Sequence, residues 1–81
     1  MLFTPELIAE MEVLALYSLD SIQEGIKVHN NAAPEKIAAA QRLHDKGLTD
    51  QPDGGYLTSL GIDAAQQVQQ LLIILKTAQP A

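Results

Sequence analysis

Cysteine is absent from the 81 residues, which excludes disulfides, thiolate metal sites and cysteine nucleophiles. Aromatic residues are limited to Phe3, Tyr17 and Tyr56, too few for a platform on which successive bases stack. Basic residues number five against ten acids, for a net charge of −5. Affinity for nucleic acid comes mainly from cations that displace phosphate counterions, so an acidic chain is a poor non-specific duplex binder. Long apolar runs are missing too. The longest, Leu71–Leu75, falls far short of the ~20 residues of a membrane-spanning helix. Met1 to Met11 holds Glu6 and Glu10 and no Lys or Arg, unlike the basic start of a secretory signal. A cytoplasmic protein is therefore expected.

A chain of this length makes one domain, taken as residues 1–81. A domain this small hides only ~60–65% of the surface of its unfolded chain, so its stability is marginal and self-association is the obvious supplement. Charge is unevenly spread. Residues 1–26 carry Glu6, Glu10, Glu12, Asp20 and Glu24 with no base. Residues 27–46 carry Lys27, Lys36, Arg42 and Lys46 against Glu35 and Asp45, the one segment with a positive balance.

Thr4-Pro5-Glu6 is a helix start: Thr caps, Pro suits the first helical position, and Glu meets the positive end of the dipole. The spacing predicts a helix through "ELIAEMEVLALYSL", with Leu7, Met11, Leu14 and Ser18 on one stripe, flanked by Ile8 and Ala15. Ala9, Val13 and Leu16 form a second stripe, and a helix apolar around much of its girth needs more than one neighbour. Ser18 or Asp20, with Gln23, predicts a cap for a short second helix "SIQEGIKVH". Gly25 inside it would cost about 1 kcal/mol relative to Ala and often marks a close backbone approach.

"NNAA" breaks the pattern and Pro34-Glu35 restarts it. In the helix predicted over 34–46, Ile37, Ala40, Leu43 and His44 lie on the inner side. Glu35, Ala38, Ala39, Arg42, Asp45 and Lys46 lie on the outer side. Gly47 ends it as a left-handed cap. Leu48-Thr49 opens a strand, Pro52-Asp53-Gly54-Gly55 is turn chemistry, and Tyr56-Leu57-Thr58 is the returning strand. Thr58 or Ser59 caps a last helix whose main stripe is Ile62, Ala65, Val68, Leu72 and Leu75 and whose second stripe includes Ala64, Leu71 and Ile74. Gln66, Gln67, Gln69 and Gln70 are expected on a solvated face. The expected fold is mainly α with a short β-hairpin and four helices.

The stretch "IQEGIKVHNNAAPEKIAAAQRLHDKGL" resembles a helix-turn-helix, and "KGLTDQPDGGYLTSLG" resembles the end of a MarR-like winged helix-turn-helix domain. The phrases that carry the likeness are Lys46-Gly47-Leu48 and Leu57-Thr58-Ser59-Leu60-Gly61, within residues 20–62. The whole chain is also similar to a family of short bacterial proteins of unassigned function. The winged-helix likeness implies that the 34–46 helix enters a major groove and that residues 50–55 form the wing. On that view Arg42, Lys46 and Lys36 meet phosphate or a base edge, with Ala38 and Ala39 at the groove floor. The wing departs from the pattern, for it holds Asp50 and Asp53 and no base. A homodimer through the terminal helices is expected, with Leu7, Val13, Leu16, Leu71 and Ile74 at the interface.

No catalytic constellation emerges. Thr58 and Ser59 are capping residues outside any G-x-S-x-G phrase. Asp50 and Asp53 lack the further ligands of a calcium loop. His29 and His44 lack the H-E-x-x-H spacing of a metal pair. The expectation is a non-enzymatic DNA-binding or regulatory module, without cofactor or metal. The alternative is a protein-interaction module with no DNA contact, whose acidic first helix or 34–46 helix meets another protein.

Overall fold

The computed structural model describes residues 2–20 and 25–79. Among them are three helices, α1 (Pro5–Leu14), α2 (Pro34–Asp45) and α3 (Ser59–Thr77), and three strands, β1 (Ile26–Lys27), β2 (Thr49–Gln51) and β3 (Gly54–Leu57). The strands form one antiparallel sheet in the order β1-β3-β2.

The local signals act as expected. Thr4 is extended, and its hydroxyl accepts from the Leu7 amide at 3.2 Å, capping α1. Pro34 opens α2 without a side-chain cap. Gly47, at φ 83°, closes α2 in a paired C-terminal motif: its amide donates to His44 O at 3.0 Å, and the Leu48 amide donates to Leu43 O at 2.9 Å. Thr58 joins two elements. Its hydroxyl donates to Gly47 O at 2.6 Å and accepts from the Gly61 amide at 3.1 Å, tying the end of α2 to the start of α3.

The helix expected over "SIQEGIKVH" is corrected. Residues 21–24 lie outside the described residues, but Ile26 and Lys27 form β1, paired with Gly55 and Gly54. Gly25 passes so close to β3 that a Cβ there would stand 2.7 Å from Gly55 O. The Val28 amide donates to Asp53 O at 2.7 Å. Ile26, Lys27 and Val28 run half-buried, exposed, buried, the alternation of a strand over a core. The described residues therefore contain three helices where four were expected.

α1 also stops earlier than its periodicity suggests. Beyond Leu14 the chain tightens to i→i+3 bonds, Leu16 N to Val13 O and Tyr17 N to Leu14 O, which turns Tyr17 into the interior. The core gathers Val13, Leu14, Tyr17, Ala39, Leu43 and Ala65, with Leu48, Leu57 and Val68 packed at its edge. Its largest fully buried side chains are Leu43 and Val13, a small core held by close helix approach at alanines.

Candidate interaction site

The inner side of α2 is as expected, with Ala40 and Leu43 buried and Ile37 and His44 half-buried, but burial extends past it. Ala39, expected on the outer side and as a nucleic-acid contact, is 0% exposed, and Ala38 is half-buried. The alanine side of α2 is the side that α1 covers, since small residues let the two backbones approach. Arg42 and Lys46 lie on that same side, at the edge facing α1. There Arg42 Nε donates to Glu10 Oε2 at 2.9 Å, Arg42 Nη2 donates to Glu6 O at 3.1 Å, and Lys46 Nζ bonds Glu10 Oε1. Glu10 is 5% exposed. Burial alone would raise its pKa, but the hydrogen bonds and charges of Lys46 and Arg42 outweigh that effect and hold it below the usual carboxylate value. The cations expected to face phosphate thus form a clamp between α1 and α2. Lys36 lies exposed in the first turn of α2.

The wing position is acidic, as its sequence indicates. Lys27 on β1 lies 3.9 Å from Asp53, and Asp50 Oδ1 accepts from the Tyr56 amide at 2.8 Å. Among the described residues the buried Tyr17 hydroxyl meets no hydrogen-bond partner. Burial, with the charges of Asp50 and Asp53, pushes its pKa up to about 12. His29 is exposed, and His44 Nδ1 lies 3.9 Å from Asp45. Among the described residues no three His, Asp or Glu side chains converge on a metal-sized space.

The expected interface residues divide. Val13 is a correction: at 1% exposed it belongs to the core, because α1 turns that side toward α2. Leu7, Leu16, Leu71 and Ile74 are exposed. Between α1 and α3 runs an apolar groove of about 750 Å³, whose lining includes Phe3, Ile8, Met11, Val68, Leu72 and Leu75. Leu72 and Leu75 share the helix side of Ala65 and Val68, yet they are 40% and 70% exposed. The last part of α3 therefore overhangs the core, with α1 along one side; among the described residues the core takes nothing from α3 beyond Val68.

Sequence reasoning missed two contacts. Glu10 was legible as an acid on an amphipathic helix, with nothing to indicate partners 32 and 36 residues away. Gln69, expected in solvent, donates from Nε2 to Leu14 O at 3.2 Å and Tyr17 O at 2.7 Å, capping the carbonyl end of α1. The signal available was its place beside Ala65 and Val68 on the wheel.

A family match extends over residues 1–76. The chain belongs to the family of unknown function DUF5669. No curated protein and no solved structure matched it. No helix among the described residues of this family member is long and apolar enough to cross a membrane.

Proposed function

We propose that this DUF5669 member acts through protein–protein contact made by the apolar face of α1 and α3, and that it does not read DNA. The observation that supports it is the overhang of α3. Leu71, Leu72, Ile73, Ile74 and Leu75 are five consecutive large apolar residues, all exposed, and monomeric proteins rarely leave so continuous a patch uncovered. The site of expected DNA contact is depleted. Arg42 and Lys46 are engaged by Glu10, Ala39 is inside, and the turn after β2 carries Asp53. Phosphate affinity scales with the cations free to displace counterions.

One observation favours the DNA-binding reading, namely that the α2, hairpin, α3 order is compatible with a winged helix. Fluorescence anisotropy with labelled duplexes at ~20 mM salt, where electrostatic binding is strongest, separates the two. The expected result is no rise. A salt-dependent rise that is lost in Arg42→Ala and Lys46→Ala would return the chain to the DNA-binding class.

A further inference from the structure

We infer that the partner on this face is a second copy of the same chain, related by a two-fold axis, with the overhang of each α3 seated against the α1–α3 groove of the other. This rests on the protein-contact role proposed above and names its partner. Five successive helical residues turn through more than a full circle, so Leu71–Leu75 presents apolar surface on every side of α3. A partner lying along one side would leave the rest wet. An all-round apolar segment is covered only by insertion among several helices. This chain offers α1 on one side of its own overhang, and a second copy brings the missing helices.

The two halves of the contact are carried on one element. Leu72 and Leu75 line the groove, while Ile73 and Ile74 border a different hollow beside Leu19. A surface that bears both a groove and the knob beside it is satisfied reciprocally under two-fold symmetry, where each patch meets its own copy. The area agrees. Phe3, Ile8 and Leu71–Leu75, which line the groove or the hollow beside it, are seven exposed large apolar residues. At on the order of 100 Å² each they offer ~700 Å² per chain, within the ~600–1,000 Å² per partner of a stable interface. A lipid surface is the weaker fit, because Glu12 lines the groove and anionic headgroups repel it.

The test is sedimentation velocity of the full chain from ~1 to ~300 µM, a range in which mass action reveals assembly, with the duplex titration repeated on the same sample. The expected mass is twice that of the chain, with no duplex bound. Ile73→Lys and Leu75→Lys alter the most exposed overhang positions and leave the core untouched. Each should weaken dimerisation at least ~100-fold while the far-UV circular dichroism stays unchanged, since a charge cannot be desolvated unpaired. Leu60→Lys, exposed at the opposite end of α3, should leave the dimer intact. A monomer at every concentration overturns the second copy, and if duplex binding is also absent the protein-contact role survives without it. A monomer that binds phosphatidylcholine vesicles gives the face to lipid and overturns the inference. A dimer that binds duplex keeps the inference and removes the role. If a lysine variant loses its helical signal, the mass of the unaltered chain still decides.

Discussion

Replacing Glu10 by Gln isolates the clamp between α1 and α2. Gln keeps the shape and one acceptor oxygen but removes the charge that Arg42 and Lys46 share. Hydrogen bonds to charged groups contribute about 1.5–3 kcal/mol each. Arg42 is one-third exposed and Lys46 about half exposed, so solvent recovers much of that on removal. A net loss of about 1–2 kcal/mol at pH 7 follows, or roughly 4–16 °C in Tm for a domain of this size. The pH dependence fixes the cause. The folded pKa of Glu10 lies below its unfolded value, so its contribution is fully present above the ordinary carboxylate pKa of about 4.3 and is lost as pH falls through the folded pKa. Urea unfolding of both proteins, at one fixed concentration and at a series of pH values, should show the gap at pH 7 and its closure in acid. Equal stability at pH 7, or a gap that persists unchanged in acid, would refute the electrostatic assignment.

Gly61→Ala places a Cβ 1.9 Å from the backbone oxygen of Leu48. The overpacking should outweigh the ~1 kcal/mol gain in helix propensity and cost about 2–3 kcal/mol net, read by thermal unfolding. Gln69→Ala takes the side-chain donor from Tyr17 O and leaves Leu14 O with the Tyr17 amide alone; it should cost about 1–2 kcal/mol, with faster amide exchange at the end of α1. Thr58→Ala removes the cap of α3 and its bond to Gly47 O; a loss of about 1–2 kcal/mol in urea unfolding is expected.

The parts of the fold legible in the sequence are those fixed by near neighbours. Thr4-Pro5, Pro34, Gly47 and, in its cap to Gly61, Thr58 each act on backbone groups within a few residues, and each does what its chemistry indicates. β1 was not legible in that way. Ile26 and Val28 fit a helix or a strand over so short a span, and the outcome depends on Gly25 and Gly54, where a Cβ would meet Gly55 O and Ile26 O across the strand pair. The second buried side of α2 was equally non-local. Ala40 is buried as its stripe indicates, whereas Ala39, alike as a residue, is buried in the cluster with Val13 and Leu14 of α1. The fate of Arg42 and Lys46 follows from that packing, because the side that buries Ala39 delivers both cations to Glu10. The apolar face was legible in outline from the second stripes of the terminal helices. Its extent was not, since nothing in the spacing of Leu72 and Leu75 says that the buried core ends before them.

Amide hydrogen exchange along α3, measured at high and at low protein concentration, probes the covered face most directly. A second copy seated on that face predicts that residues 71–75 are protected at high concentration nearly as well as residues 61–68, and that dilution strips protection from the former alone. Rapid exchange of 71–75 at every concentration, with 61–68 still protected, would contradict it.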